Sequence, residues 1–425
     1  MATFNGTTGA DTLDGGAEND IIRGDEGGDS LTGGAGNDTI YGAGAALGTT
    51  DGADTIDGSA GNDLIYGNAG GDSIIGTDGN DTVFGGLDAD FIDYSGSTNA
   101  SDLNGNDGTD TITGGFGDDT LKGGTGNDEI LGGNGDDIIF GSVAIIAVVD
   151  GDDSINGGNG NDVIYANAGN DTIIGASGAD SVFGGAGNDL INYSGTTSAL
   201  LLTGNTGDDT VIGGTAADIL RGGRGNDTIT GNEGNDTIFG SESIVATLDS
   251  DDVIDGGVGN DVIYANAGND TVTGSSGYDT VFGGLGDDVV DYSNNNNAVV
   301  LYGHSGADDL LGGAAADTLI GGAGADILTG GNGADVFLFQ NATQSSENAM
   351  DRITDFTSSG LNSANEDVID LSATFFTGIQ YGNASGSVLG FVTDGTDATI
   401  SGIGGFQLQL TGVTTFEADD FLFGS

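Results

Sequence analysis

The sequence predicts an all-β chain wound into a parallel β-roll, and three observations predict it. An aspartate returns every nine residues over most of the chain, an apolar residue stands two places after each one, and glycine crowds the places before it. A short fixed period of this kind marks a solenoid, in which each repeat buries its apolar face only by stacking on its neighbours.

The aspartate series comes first. It runs Asp11, Asp20, Asp29, Asp38, then Asp54, Asp63, Asp72, Asp81, Asp90, then Asp110, Asp119, Asp128, Asp137. It goes on through Asp153, Asp162, Asp171, Asp180, Asp189, then Asp209, Asp218, Asp227, Asp236. Asp252, Asp261, Asp270, Asp279, Asp288, then Asp308, Asp317, Asp326 and Asp335 complete it. The apolar partners include Leu13, Ile22, Ile65, Val83, Ile130, Val182, Leu220, Val290 and Phe337. A clean copy of the unit is GGTGNDEIL at 123–131.

A second period lies above the first. The steps 9, 9, 9, 16, 9, 9, 9, 9, 20 sum to 99, and near-identical blocks start at Gly61, Gly160 and Gly259. Tyr94, Tyr193 and Tyr292 keep the same spacing, so the array holds about three and a third copies. The irregular steps of 16 and 20 together make four nines, so each reads as two half-turns with one degenerate member. That gives about five and a half turns per unit. The degenerate segments at 43–52, 141–150 and 240–249 lack the glycine loop and are expected to bind a cation poorly or not at all.

Each nonapeptide divides into a loop of six, GGxGxD, and a strand of three, x-apolar-x. The glycines allow a backbone that turns at positive φ and brings its carbonyls inward. In the strand the single apolar side chain points to one face. Two nonapeptides close one turn of a flattened coil, and loops on one edge then stack about 4.8 Å apart. Each carboxylate would face the next at roughly 5 Å, a pair that repels by about 1 kcal/mol in water and more when partly buried.

This ladder calls for a cation, and its chemistry selects one. Calcium takes six to eight oxygens from carboxylates and carbonyls in a flexible shell, whereas magnesium wants a tight octahedron and keeps its waters. Zinc prefers nitrogen or sulfur, and the chain has one histidine, His304, and no cysteine. Pairing same-edge neighbours gives roughly 17–23 Ca²⁺ ions. One apolar side chain per nine residues cannot offset the roughly 1–2 kcal/mol of backbone entropy per residue. Ion binding must therefore supply folding free energy, and the ion-free chain is expected to be largely disordered.

Composition removes other classes. The formal net charge is −62, from 67 acidic and 5 basic side chains. Arg23, Lys122, Arg221, Arg224 and Arg352 cannot form a patch for nucleic acid or for anionic lipid. No apolar stretch is long enough to span a membrane as a helix. The opening MATFNGTTGAD lacks a basic stretch and an apolar run of the secretory kind.

GGxGxDxUx, with U a large apolar residue, resembles the RTX (repeats-in-toxin) family of bacterial exoproteins, and the resemblance covers about residues 6–339. It implies a right-handed parallel β-roll, or RTX β-solenoid, with rows of Ca²⁺. It also implies export to the extracellular space or cell surface by a type I ABC transporter through an uncleaved C-terminal signal. Glu18, before Asp20, and Ala217, before Asp218, depart from the loop pattern. The roll is expected over 1–339 and a C-terminal β capping and secretion region over 340–425. Within the latter, ADVFLFQ, DRITDF and EDVIDLS keep strand alternation without the nonapeptide. This region resembles that of serralysin-type secreted proteins, down to the acidic and apolar tail EADDFLFGS.

Neither HExxH nor GxSxG occurs, so a non-enzymatic protein with a structural or surface role is expected. A calcium-binding and secretion module of a secreted hydrolase or toxin-type exoprotein is the alternative, beside an adhesin or ice-binding extender. The position three before each aspartate is too irregular for a templated ice face, holding Thr8, Glu26, Phe116, Arg224 and Leu285 among others. The chain itself is a candidate partner, as a homopolymer, through the apolar stretches 144–149 and 243–248. Tyr41, Tyr66, Tyr165 and Tyr264 adjoin the apolar position and are expected in the core rather than in a carbohydrate-binding rank.

Overall fold

The alternation of each x-apolar-x segment produces short parallel strands on two opposed faces in the computed structural model. The described residues are 1–44, 51–142, 150–241, 251–340, 344–346, 348–358, 366–371, 380–381, 388–393, 396–402, 405–413, 415 and 420–423. No α-helix occurs among them. The apolar stretches 144–149 and 243–248 lie outside them, as do Gly424 and Ser425.

The chain divides into two units, 1–211 and 212–425. In the first unit, β1 (Thr3–Asn5), β2 (Thr12–Gly16), β3 (Ile21–Arg23), β4 (Ser30–Ala35) and β5 (Thr39–Tyr41) open the winding. Next come β6 (Thr55–Ala60), β7 (Leu64–Ala69), β8 (Ser73–Ile75), β9 (Thr82–Leu87), β10 (Phe91–Asp93), β11 (Asp102–Asp107) and β12 (Thr111–Thr113). Odd strands pair in parallel on one face and even strands on the other. The register stacks the apolar position into two inner ranks. One is Ile22, Ile40, Ile65, Val83 and Leu103, and the other is Leu31, Ile56, Ile74, Ile92 and Ile112, all buried. These two ranks meeting inside the roll make most of the core, and Tyr94 adds a fully buried ring. Each fully buried aliphatic side chain supplies about 1.5–3 kcal/mol.

The second unit repeats the plan. Leu220, Ile238, Ile263, Val281, Leu301, Leu319 and Phe337 form one inner rank, and Ile229, Ile254, Val272, Val290, Leu310 and Leu328 the other. Both ranks continue beyond the nonapeptides, through Ile369 and Phe421 on one face and Ile353 and Leu410 on the other. There the strands Val388–Thr393, Ala398–Ser401 and Gln407–Leu410 pair antiparallel.

The pairing corrects one expectation. The step of 16 from Asp38 to Asp54 is a single half-turn, because β5 on one face is followed directly by β6 on the other. Seven extra residues therefore sit inside one half-turn. The step of 20 from Asp90 to Asp110 is two half-turns, since β11 returns to the first face between β10 and β12, with Ser101 in the aspartate's place. One 99-residue unit thus winds five turns, marked on one edge by Asp11, Asp29, Asp54, Asp72, Asp90 and Asp110, not five and a half. The sum of 36 is the same for both readings, and only the alternation of faces separates them.

A second correction concerns Tyr41, Tyr66, Tyr165 and Tyr264. Each is the third residue of its strand triplet, so alternation turns it outward, away from the core. The rings form stacked outer ladders, Tyr41 on Tyr66 at 5.2 Å and Tyr66 on Phe84 at 5.1 Å, repeated by Phe140, Tyr165 and Phe183. In the second unit the ladder is Phe239, Tyr264, Phe282 and Tyr302. The Arg23 guanidinium lies over Tyr41 and that of Arg221 over Phe239, each 5.2 Å from the ring centre. The buried tyrosines are instead Tyr94, Tyr193 and Tyr292.

Candidate metal centre

The loop between two strands turns on glycine, and its carboxylate folds back over the glycine that begins the loop. A Cβ on Gly24 would overlap Asp29 Oδ2 and the Gly42 carbonyl, and one on Gly123 would overlap Asp128 Oδ2 and the Gly141 carbonyl, so glycine is favoured there, although Ala166 and Ala265 begin the equivalent loops before Asp171 and Asp270. The polypeptide is thereby shaped around the carboxylate.

Thirty of the thirty-one sequence-predicted aspartates are buried, and Asp11, at the start of the array, is half-buried. Within each unit they stack in two rows, one on each edge. Along a row the aspartate amide donates to the carboxylate one turn ahead, except after Asp81, Asp180 and Asp279, where Ser101, Leu200 and Val299 take the aspartate's place. Asp29 N–H donates to Asp54 Oδ1 at 2.7 Å, Asp54 to Asp72 at 2.8 Å, Asp72 to Asp90 at 2.7 Å and Asp153 to Asp171 at 2.8 Å. In the second unit Asp261 donates to Asp279 and Asp308 to Asp326 in the same way.

The other oxygen of these carboxylates is left over. Oδ2 of Asp29, Asp54, Asp72, Asp90, Asp153, Asp171, Asp261 and Asp308, among others, is buried without a hydrogen-bond partner. A buried acceptor left in this state is costly. Burial accordingly pushes the carboxyl pKa up, to about 7 at Asp54 and Asp63 and to about 8 at Asp72, Asp90, Asp153 and Asp171. The donated amides pull the other way but do not overcome burial. Either a proton or a cation must answer these oxygens.

The donor set fits calcium. Carboxylates and loop carbonyls are all hard oxygens, and no cysteine exists. Among the described residues no three ligating side chains gather at one point, so an ion between two turns would draw on backbone carbonyls as well as carboxylates. His304 is exposed, with its ring beside those of Phe282 and Tyr302.

Not every predicted position is alike. At Asp119, Asp218 and Asp317 the Oδ2 accepts a loop amide, from Gly115, Gly214 and Gly313 at 2.6–2.7 Å. Asp11 Oδ2 accepts from Thr7 N–H and Oγ. Beside Asp81 the buried ring of Tyr94 fills the loop that starts at Gly76, where a Cβ would overlap the phenol. Tyr193 and Gly175 repeat this arrangement, as do Tyr292 and Gly274. The wide step thus carries an aromatic plug.

Sequence reasoning missed two sets of residues. The first is a counter-running ladder from the Asn just before several aspartates: Asn37 N–H donates to Asn19 Oδ1 at 3.1 Å, Asn62 to Asn37 at 3.1 Å and Asn80 to Asn62 at 3.0 Å. Its signal is the frequent Asn in GxND. The second set extends the aspartate rows past Asp335. Asp326 N–H donates to Asp351 Oδ1 at 3.0 Å and Asp335 N–H to Asp367 Oδ1 at 2.9 Å. Asp351 and Asp367 each keep an apolar residue two places on, Ile353 and Ile369, which is the surviving signal.

Comparison with known proteins follows the same lines. The profile of the RTX calcium-binding nonapeptide repeat matches eleven stretches, 3–31, 23–45, 49–76, 66–99, 104–139, 149–182, 166–195, 203–238, 247–281, 264–299 and 302–337. No curated protein matches the chain. Among solved structures it is similar to the AlgE6R3 subunit of the Azotobacter vinelandii mannuronan C5-epimerase, at 31% identity over 35% of this chain and 78% of that one, with a TM-score of 0.24. The AlgE6R2 subunit of that enzyme aligns at 22% identity over 51% of this chain and 92% of its own, with a TM-score of 0.20. The extracellular lipase LipA of Serratia marcescens aligns at 18% identity over 55% of this chain and 44% of its own, with a TM-score of 0.23.

Proposed function

This chain belongs to the family of RTX calcium-binding nonapeptide repeats, and on that premise we propose that it is a secreted, non-enzymatic structural or cell-surface protein that folds on Ca²⁺. The ligands in this reading are the row aspartates, each contributing Oδ2 to an ion held between successive turns, with loop carbonyls completing the shell. The observation that carries it is the run of buried, unpartnered Oδ2 atoms. In millimolar external calcium the ions replace the protons that burial would otherwise demand, and in the low calcium of a cytosol the chain stays unfolded and exportable. The roll, over 1–339, is followed by a capping and type I secretion region over 340–425. Export through an ABC transporter and association with copies of itself belong to the same proposal.

Asp119, Asp218 and Asp317, whose Oδ2 is already bonded, are the weakest ligands in this set. Among the described residues no helix is long and apolar enough to cross a membrane. Small-angle scattering through a calcium titration tests the reading. Passage from an expanded coil to a folded particle of monomer mass supports a secreted calcium-folded protein, a rise to multiples of that mass supports a surface lattice, and a compact particle in chelator above about pH 8 overturns the coupling.

A further inference from the structure

The half-turn from Asp38 to Asp54 lacks the glycine loop, yet it rejoins the roll through an acidic residue. In ordinary loops the glycine at the fourth position donates to a backbone carbonyl one turn ahead, as Gly36 does to Ala60 and Gly160 to Ser177, both at 2.9 Å. At the rejoining point this carbonyl is replaced by a side chain. Gly27 N–H donates to Asp51 Oδ1 at 2.7 Å, and Gly52 N–H donates to the same oxygen at 2.8 Å. Asp51 Oδ2 remains buried without a partner.

Asp29, Asp54 and Asp72 of one row are each no more than 3% exposed, and each has an unpartnered Oδ2. The Asp51 charge acts on all three. The constellation recurs 99 residues on. Asp150 accepts from Gly151 N–H at 2.9 Å and from Gly126 N–H, keeps a buried Oδ2, and acts on Asp128, Asp153 and Asp171. A carboxylate that takes the amide ordinarily met by a loop carbonyl, and keeps one buried oxygen unanswered, thus occurs twice where the repeat motif is missing.

We propose that Asp51 and Asp150 are calcium ligands of a second site class, in which a carboxylate stands in for the loop carbonyl of the nonapeptide site. The inference rests on the calcium reading above and reverses the expectation that the degenerate segments interrupt the ion rows. Exchanging a neutral ligand for a charged one raises affinity for a hard cation. These two sites therefore fill first, and the turns on either side fold around them.

The test uses the full chain with Asp51→Asn, Asp150→Asn and the double variant. Asparagine keeps the Oδ1 acceptor for Gly27 or Gly126 and removes the charge on Oδ2. Calcium is counted by titration calorimetry against a competing chelator, with folding followed by circular dichroism, and Asp14→Asn, on an exposed residue, is the control. Each single variant should lose one ion from the tightest class, and the double variant should lose two, with its folding midpoint moved several-fold to higher calcium. Unchanged stoichiometry in that class overturns the proposal, whether or not stability falls. A wild-type chain that takes up no calcium would instead overturn the function on which the proposal rests, and the control separates a general loss of charge from loss of a ligand.

Discussion

Asp54 donates its amide to Asp72 Oδ1 at 2.8 Å, while Asp72 Oδ2 is buried with no partner. One carboxylate thus holds the turns together with one oxygen and leaves the other for a charge the chain does not supply. On the calcium reading, structure and ion binding are joined in the same side chain, and the ions supply what so thin a core cannot.

A pH dependence follows from the raised carboxyl groups. Asp110 is pushed up to about 6, Asp54 to about 7, and Asp72 and Asp90 to about 8, all by burial. A folded-state value above the unfolded one favours the protonated folded form. Its contribution is complete below the ordinary carboxylate range and is lost as pH rises through about 6 to 8. In chelator the chain should gain strand signal near pH 4 and lose it by about pH 8. With calcium present the order reverses, because ions must displace protons, and the folding midpoint should fall to lower calcium as pH rises over the same window. Circular dichroism at several pH values reads both, and a calcium midpoint independent of pH would refute the proton competition.

Gly123→Ala should loosen one ion site without touching a ligand. The added Cβ overlaps both Asp128 Oδ2 and the Gly141 carbonyl, so the carboxylate or the next turn must move, at about 1–3 kcal/mol. The calcium midpoint for folding should rise. Gly96→Ala, where a Cβ meets nothing within 4 Å, should leave it in place. Equal behaviour of the two variants would mean that the glycine does not shape the site.

Much of this was legible in the sequence, and the failures have physical causes. The nine-residue return of aspartate and the apolar residue two places on placed Ile65 and Ile74 in the inner ranks directly, because strand parity admits one inner position per triplet. The same parity, applied to Tyr66, puts it outside, but adjacency to Ile65 drew it into the core. The step of 16 was misread because an insertion and a degenerate repeat give the same arithmetic, and strand pairing alone distinguishes them. Asp351 was missed because its loop has a different length, although the ladder needs only a carboxylate and an amide at the right height.

Inner and outer ranks should respond differently to truncation. Ile65→Ala empties a fully buried position and should destabilise the calcium-loaded roll by about 2–5 kcal/mol. Tyr66→Ala removes a ring stacked between Tyr41 and Phe84 on the outer face and should forfeit roughly 0.5–1.5 kcal/mol of stacking. Neither should change the number of ions bound. Thermal unfolding in saturating calcium compares them, and a larger loss for Tyr66→Ala would place that ring in the core after all.

The aspartate rows continuing beyond the nonapeptides give the last prediction. Asp351 is fully buried, is pushed up to about 8 by burial, accepts the Asp326 amide through Oδ1 and leaves Oδ2 without a partner. These are the features of Asp72, at a position the repeat pattern does not mark. Asp351→Asn should keep the acceptor for Asp326 and lose one ion. Asp351→Ala should lose the same ion and also the ladder hydrogen bond, destabilising further by about 0.5–1.5 kcal/mol. Counting ions and melting both variants separates the two oxygens. If Asp351→Asn binds as many ions as the parent, the continued row is a structural ladder alone and the calcium row stops with the nonapeptides.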